Sequence, residues 1–342
     1  MEDLLIQSIQ SGSIALRERL ISWRRHLHQH PELSEQEHGT AAWIRDQLEE
    51  IGLVDIHSLA GTGVVAILHG KEPGPACIAL RADTDALPIE EANEVPYRSI
   101  HPGVMHACGH DAHTASLLGT AALLYSIREQ WKGTVKFIFQ PSEEKYPGGA
   151  IRMIGEGVLE DPRPAHVFGQ HVLPSLESGK AGFRPGPFMA STDEVHITVH
   201  GKGGHGATPE LGVDPLSIAA QILVALQQVV SRKAPPTTPT VLTFGRFIAN
   251  GQTNIIPDQA SMHGILRTFD EEWRYRARDI IRNMAEGMAA SMGASCEVFI
   301  DPGYPALVND PDITTKASAW AAEYLGSSMV EQIMGSSVSA LI

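Results

Sequence analysis

Cysteine is scarce in this chain of 342 residues, which contains three, at positions 77, 108 and 296. Three scattered cysteines are too few for a disulfide framework, so the sequence predicts a reducing, cytoplasmic compartment. The chain also lacks any apolar run near the roughly 18 residues of a membrane span. Its first residues, MEDLLIQSIQ, have neither the basic nor the apolar region of a signal peptide. We therefore expect a soluble, unprocessed protein.

Positive charge is also in short supply, with 26 Lys and Arg against 40 Asp and Glu and a formal net charge of −14. Nucleic acids and anionic membranes are bound by dense cationic surfaces, so the composition argues against both as partners. Histidine, in contrast, is plentiful: there are 16, and none follows His263. The search for reactive or metal-binding groups therefore starts in the part of the chain that holds the histidines.

The order of predicted elements indicates an α/β protein with two domains, which suits the length at about 150 residues per domain. Helical and strand patterns alternate in the first part, as is typical of a mainly parallel sheet flanked by helices. From residue 181 the order β-α-β-β-α-β predicts a ferredoxin-like α+β domain. A last helix resembles the first part again. We therefore predict one domain of residues 1–180 and 302–342, with residues 181–301 inserted into it.

Candidate metal ligands follow three of the predicted strands, at the position where open α/β sheets bind ligands. Asp83 and Asp85 come after CIALRA, Glu143 and Glu144 after TVKFIFQP, and His171 after HVFGQ. Each has a structural alternative: the aspartates as loop caps, the glutamates as a solvated strand end, the histidine as a core residue. Their shared position favours function. Adjacent glutamates point in different directions, so one can bind metal while its neighbour accepts a proton from water.

A second cluster, HACGHDAH, lies between the first two of these strands. It places five potential ligands within eight residues: His106, Cys108, His110, Asp111 and His113. Cysteine, histidine and carboxylate are the ligands of zinc and similar divalent metals. A lone cysteine is more often a small buried hydrophobic residue, but this density predicts a metal site. The histidines at positions 26, 28 and 30 are interpreted as a polar helix face or as residues at the mouth of the site, and not as a ligand set.

Three polar residues stand out in the predicted inserted domain: His205 in GKGGHGATPE, Asn254 in GQTNIIPD and Arg267 in LRTFD. Glycines around His205 permit a tightly turned loop that presents one titratable side chain. An amide and a guanidinium suit a carbonyl and a carboxylate, respectively. On composition alone, all three remain equally consistent with ordinary loop residues.

Together these motifs resemble the metal-dependent amidohydrolases of the aminoacylase, hippurate hydrolase and indoleacetyl-amino-acid hydrolase family, a branch of the M20 metallopeptidases. The matching segments run through nearly the whole chain: RRHLHQHPELSEQE, ALRADTDALPI, HACGHDAHTASLLG, QPSEE, FGQHV, GKGGHGATPELGVDP, NIIPD and LRTFD. The resemblance implies a catalytic domain with two divalent metal ions (zinc, manganese, cobalt or nickel) and an inserted lid domain that mediates a homodimer. It also implies that a metal-activated water hydrolyses the amide bond of an N-acyl amino acid, either hippurate-like or N-acetylated.

By motif match, four residues resemble the family's metal ligands: Cys108, His110, Glu144 and His171. Glu143 resembles the general base that activates water, and Asp85 resembles a carboxylate that supports the ligands from behind. His205 resembles the lid histidine that stabilises the developing oxyanion, within one subunit or across the dimer interface. Asn254 and Arg267 resemble lid contacts to the substrate.

One departure concerns the end of the chain. In the family, a segment beginning like MGSEDFAYY continues further and supplies a last histidine ligand, whereas this chain reads MGSSVSALI from Met334 to Ile342. We therefore expect the second metal site to be incomplete. The alternative hypothesis is a truncated, catalytically dead metal-binding dimer. An aminopeptidase is a third hypothesis, disfavoured because HACGHDAH and QPSEE resemble the amidohydrolase branch.

Overall fold

The computed structural model describes residues 2–333. The chain divides into two compact units, residues 1–178 and 179–342. The described helices are α1 (Glu2–Ala15), α2 (Arg17–Gln29), α3 (His38–Ile51), α4 (His110–Ser126), α5 (Gly149–Gly155), α6 (Pro215–Gln228), α7 (Glu271–Ser291) and α8 (Pro311–Leu325). The described strands are β1 (Asp55–Leu59), β2 (Gly63–His69), β3 (Cys77–Asp83), β4 (Thr134–Gln140), β5 (His166–Gly169), β6 (Ala181–Phe183), β7 (Gly186–Met189), β8 (Asp193–His200), β9 (Gly204–His205), β10 (Thr240–Ile248), β11 (Ile255–Ile256), β12 (Gln259–Thr268), β13 (Ser295–Pro302), β14 (Leu307–Asn309) and β15 (Val330–Gln332).

The first unit is built on a five-stranded sheet in the order β1-β2-β4-β3-β5. β3 lies between β4 and β5 and is parallel to both, but β2 pairs antiparallel with β1 and with β4. The prediction of a mainly parallel sheet is therefore wrong for this half of the sheet. For β1 and β2 the physical reason is the short connection of three residues between them, which includes Ala60 and Gly61 at positive φ. So short a connection permits only an antiparallel pair.

Apolar side chains pack on both faces of this sheet. On one face Phe137 and Phe139 of β4 join Leu118 of α4 and residues of α2 and α3 in the main core. On the other face Ile138 packs with Met153 of α5 in a smaller cluster. β4 is buried along its whole length, whereas β3 retains partly exposed residues such as Ile78. Apolar packing on both faces of the sheet holds the carboxyl ends of its parallel strands in place.

The second unit contains a four-stranded antiparallel sheet in the order β10-β12-β8-β13. Its chain order, β8-α6-β10-β12-α7-β13, is that of a ferredoxin-like split β-α-β-β-α-β unit. α6 and α7 cover one face, where Ile222, Ile281 and Met262 are fully buried in a shared core. The helices start at aspartate caps: Asp214 accepts hydrogen bonds from backbone N–H groups of α6, and Asp270 from one of α7.

The C-terminal part of the described chain packs within the second unit. β14 pairs with β7, and β15 pairs with β6. The assignment of residues 302–342 to the first domain stays a prediction, and residues 334–342, where the sequence departs from the family, lie outside the described residues. Among residues 2–333, no helix is long and apolar enough to cross a membrane.

A buried ion cluster ties α7 to β8 in the second unit. Both carboxylate oxygens of Asp193 accept hydrogen bonds from Arg274, at 2.9 and 2.7 Å. Arg278 also donates to both oxygens. Burial raises the pKa of Asp193, but the two guanidinium groups outweigh burial and lower it below the usual range. Asp193 is therefore the shared anion of two arginines, of which Arg274 also pairs with Glu271 at 2.9 Å, and the removal of Asp193 is costly.

Asp193→Ala should lower the free energy of unfolding of the second unit by about 3–5 kcal/mol, because two buried guanidinium groups lose their shared anion. Because the folded-state pKa is lowered, the stabilisation is present above the unfolded pKa and is lost as pH falls through the folded pKa. Urea unfolding measured between pH 7 and pH 2 checks both points. Asp279→Ala, which removes an exposed carboxylate 3.5 Å from Arg282 on the same helix, is the control and should change little. Equal losses in both variants would contradict the role of the buried cluster.

Candidate metal centre

Three parallel strands of the first unit end at one edge of the sheet. β3 ends at Asp83, β4 at Gln140 and β5 at Gly169. Helix α4 begins at His110 directly after a glycine with φ of +91°. The carboxyl ends of parallel strands form the binding crevice of open α/β sheets, and the potential ligands on the loops do lie together there.

The side chains that were predicted as ligands form one cluster. Nε2 of His171 lies 3.4 Å from Sγ of Cys108. Nε2 of His110 lies 3.7 Å from Oε1 of Glu144 and 3.9 Å from Oε2 of Glu143. His110 belongs both to a set with Cys108 and His171 and to a set with the two glutamates, and ligand atoms within each set lie within 4.8 Å of one another.

His110 is oriented by Asp85, whose carbonyl oxygen accepts a hydrogen bond from Nδ1 of His110 at 2.9 Å. The proton on Nδ1 leaves Nε2, the nitrogen that faces the glutamates, as the ligand atom. The Asp85 carboxylate accepts hydrogen bonds from the Ser34 hydroxyl at 2.6 Å and from the backbone N–H of Glu144 at 2.9 Å. Asp85 therefore connects the loop after β3 with two other segments of the site.

The electrostatics of the cluster fit a bound cation. Nε2 of His110 and Oε1 of Glu144 are buried without a hydrogen-bond partner among residues 2–333, an unfavourable state that coordination would relieve. Burial lowers the pKa of His110, but contacts with Asp85 and Cys108 and the charge of Asp83 outweigh it and raise the pKa to about 11. Thiolate, imidazole and carboxylate are the usual ligands of zinc and related divalent ions.

Two further pKa shifts bear on the chemistry of the site. Burial and the neighbouring Glu144 charge raise the pKa of Glu143 to about 7, so its carboxylate exchanges protons near neutral pH. Burial lowers the pKa of His171, which favours the neutral imidazole that binds metals.

Two buried residues near the ligands, Asp83 and His113, make more hydrogen bonds in the site than the sequence indicated. Asp83, weighed above as a loop cap, accepts a hydrogen bond from Nδ1 of His113 at 2.6 Å and from Nη1 of Arg81 at 2.8 Å. Oδ2 of Asp83 also lies 3.5 Å from Nε2 of His110. Burial raises the pKa of Asp83, but His113 and Arg81 hold it well below its usual range. The density of ligand types in HACGHDAH was the available signal for His113.

Glu37 was missed altogether, and it supports the loop that carries the two glutamates. Ser142 has φ of +51°, an unfavourable conformation for a residue with a side chain. Its backbone N–H and hydroxyl both donate to Oε1 of Glu37, at 2.7 and 3.1 Å, and Thr62 donates to Oε2 at 2.8 Å. Glu37 is fully buried. The turn that presents Glu143 is therefore held by a residue 105 positions earlier in the chain.

His28 is not on a polar helix face, as the sequence suggested. It is 4% exposed, with Nδ1 2.7 Å from Asp111 and Nε2 3.0 Å from Glu91. Arg24 adds an ion pair to Asp111 at 2.8 Å. Since Asp111 directly follows His110, this network anchors the start of α4 beside the ligands.

The three predicted lid residues lie in the second unit. His205 and Asn254 belong to one small structure, in which β9 pairs with β11 and the Gly206 N–H donates to the Asn254 carbonyl oxygen at 2.8 Å. Ala207 N–H donates to Nδ1 of His205 at 3.1 Å, so the neutral ring carries its proton on exposed Nε2. Arg267 lies on β12, half-buried, with Nη1 3.5 Å from the Ser191 carbonyl oxygen.

The family model for peptidase family M20/M25/M40 matches residues 79–342. The chain belongs to this family. It is 43% identical over 290 residues to an N-acyl-L-amino acid amidohydrolase of Geobacillus stearothermophilus, covering 85% of this chain and 78% of that protein. It is 46% identical over 310 residues to an N-acetylcysteine deacetylase of Bacillus subtilis, covering 90% and 80%.

A solved structure supports the same assignment to the M20 family. The Bacillus subtilis YXEP protein, described as a dinuclear metal binding peptidase, superposes with a TM-score of 0.79 at 41% identity, covering 94% of this chain and 83% of that one. The family resemblance predicted from the motifs is thus confirmed, and so is the prediction of an enzyme. This M20 member is a hydrolase whose clustered thiol, imidazole and carboxylate groups suit divalent metals.

Glu37→Ala should weaken metal binding and activity and lower the free energy of unfolding by about 1.5–3 kcal/mol, because Ser142 loses the charged acceptor that holds its strained turn. Glu37→Gln is the matched variant: it retains an oxygen for Ser142 and should lose less of all three. Urea unfolding and metal content after dialysis measure the effects. Equal losses in the two variants would contradict a role for the hydrogen bonds to Ser142.

Proposed function

We propose that this chain hydrolyses the amide bond of N-acyl amino acids, with N-acetylated and hippurate-like compounds as the substrate class. The names of two relatives, an N-acyl-L-amino acid amidohydrolase and an N-acetylcysteine deacetylase, support N-acyl and N-acetyl amino acids. The observation that carries the proposal is the cluster at the carboxyl edge of the sheet, where Glu143 lies beside the His110 and Glu144 ligand atoms.

Two divalent ions would be held by four residues: Cys108, His110, Glu144 and His171. Zinc, manganese, cobalt and nickel all suit this mixed donor set. Bound there, such ions supply Lewis acidity, which lowers the pKa of water and polarises a carbonyl.

Glu143 is proposed as the general base and then the general acid. Its carboxylate accepts the proton of the attacking water and returns that proton to the leaving amine, so no net proton is consumed at this residue. The Cys108 thiolate would be a metal ligand and not a nucleophile, and attack by water needs no covalent intermediate with the protein.

Residues of the second unit are proposed to bind the rest of the substrate. The exposed Nε2–H of His205 is a donor suited to the developing oxyanion. Arg267 suits the carboxylate of the amino acid, and Asn254 suits a carbonyl group. Burial lowers the pKa of Arg267, and a carboxylate partner would offset that cost.

We also propose that residues 181–301 form a lid through which a homodimer assembles. The four-stranded sheet has helices on one face and ends in two edge strands, β10 and β13, whose free backbone groups are a template for pairing. Val224 and Leu216 of α6 add exposed apolar surface. These features support assembly through this unit.

Turnover of a substrate panel tests the function. The metal-loaded protein should release amino acid from N-acetyl-L-cysteine, other N-acetyl amino acids or hippurate with higher kcat/KM than from dipeptides with a free amino group. Initial rates with zinc, manganese, cobalt or nickel are the measurement. Preference for dipeptides would support the aminopeptidase hypothesis. Metal binding without any turnover would support a catalytically dead metal-binding dimer.

Glu143 and Glu144 form a matched pair for testing the assigned roles. Glu143→Gln should lower kcat by about 10²–10⁴-fold because the proton acceptor is lost, while metal content is retained. Glu144→Gln should lower metal content, because an amide is a poorer ligand than a carboxylate. Elemental analysis after dialysis, together with initial rates, checks both. Metal loss in the first variant with retention in the second would show that the roles are exchanged.

A further inference from the structure

Val172 covers the segment that contains Cys108 and His110. A β-carbon built on Gly109, the residue between them, would lie 2.4 Å from Cγ2 of Val172. Gly109 also has φ of +91°, a conformation that residues with side chains rarely adopt. Glycine is therefore required at this position for two independent reasons, and Val172 is in direct contact with the ligand loop.

Both backbone polar groups of Val172 are hydrogen-bonded to histidines. Its carbonyl oxygen accepts a hydrogen bond from Nδ1 of His171 at 2.7 Å. Its N–H donates to Nε2 of His113 at 2.9 Å. Because the proton of His171 is held on Nδ1, its Nε2 lone pair is free on the side of Cys108, whose Sγ is 3.4 Å away. The Val172 backbone thus orients His171 and is itself held by His113.

His113 is fixed from its other side by Asp83. Since Nε2 of His113 accepts a hydrogen bond, the neutral ring carries its proton on Nδ1, which donates to Asp83 at 2.6 Å. Asp83 is held in turn by Arg81 at 2.8 Å, and both His113 and Asp83 are 1% exposed. Both ring nitrogens of His113 are therefore occupied, which argues against His113 as a metal ligand although it lies close to His110.

We propose that His113 is a positioning residue for the metal centre: it holds the backbone of Val172 and thereby directs Nε2 of His171 toward Cys108. The inference rests on the metal-binding function proposed above. Residues that orient a metal ligand from behind typically contribute about 10–100-fold to metal affinity when they are removed.

Cobalt titration of the metal-free protein tests the proposal, with absorption spectra to follow binding and circular dichroism to follow folding. The variants are His113→Ala, His113→Gln and His113→Asn. Glutamine can place an oxygen near the position of Nε2 and accept from Val172, whereas asparagine reaches only far enough to replace the Nδ1 donor to Asp83. His166→Ala, which removes an exposed histidine of β5, is the control.

His113→Ala should lower cobalt affinity about 10–100-fold, and His166→Ala should leave it unchanged. His113→Gln should retain more of the wild-type cobalt affinity than His113→Asn does. The thiolate-to-cobalt absorption band from Cys108 should persist in every variant, because the hydrogen bonds of the His113 side chain go to Asp83 and Val172, and its bond to Gly109 comes from the backbone. If His113→Ala fails to fold, the comparison of glutamine with asparagine decides the question.

A double-variant comparison shows whether His113 acts through His171. In a His171→Ala background, adding His113→Ala should cause no further loss of cobalt affinity. A further loss of full size, or better rescue by asparagine than by glutamine, would overturn the proposal. Wild-type protein that binds no cobalt would contradict the proposed function as well, whereas wild-type binding with unchanged affinity in His113→Ala contradicts only the positioning role.

Discussion

Crowding of negative charge at one edge of a sheet is the constraint on which the rest of the first unit depends. Four carboxylates and a thiol surround His110 there: Asp83, Asp85, Glu143, Glu144 and Cys108. Like charges this close repel strongly in a low-dielectric interior, and a buried charge without a partner costs several kcal/mol. Asp83 and Asp85 therefore have their own donors, and the remaining charge would be balanced by a bound cation.

The groups that hold these carboxylates and the turn at Ser142 come in part from segments without a predicted ligand. Ser34 and Glu37 lie in the loop before α3. The Ser34 hydroxyl donates a hydrogen bond to Asp85, and the Glu37 carboxylate accepts one from Ser142. Arg81 and His113 both donate hydrogen bonds to Asp83. Ligands fixed in this way lose little conformational entropy when a metal binds, because they are already ordered in the folded protein.

The candidate site was predictable where its chemistry is local in sequence. Cys108 and His110 are separated by one residue, and Glu143 and Glu144 are adjacent at the end of a fully buried strand. Parallel pairing of β3, β4 and β5 was also predictable, since helices separate these strands along the chain. β1 was not predicted, because Asp55–Leu59 is a half-polar strand without clear alternation. Glu37 ends the matching segment RRHLHQHPELSEQE, but its role was not predictable, since its partner Ser142 is 105 residues away.

The sequence by itself determined the family, the residue types of the metal centre and the order of elements in the ferredoxin-like unit, because short motifs and periodicities record them directly. Only the tertiary structure decided how those ligands are held: that His28 is buried between two carboxylates, that Glu37 supports a strained turn, and that Val172 lies between two histidines. Hydrogen bonds between distant segments depend on angles and distances of a fraction of an ångström. A linear pattern of residue types does not encode such geometry; it arises when the packed core brings the segments together.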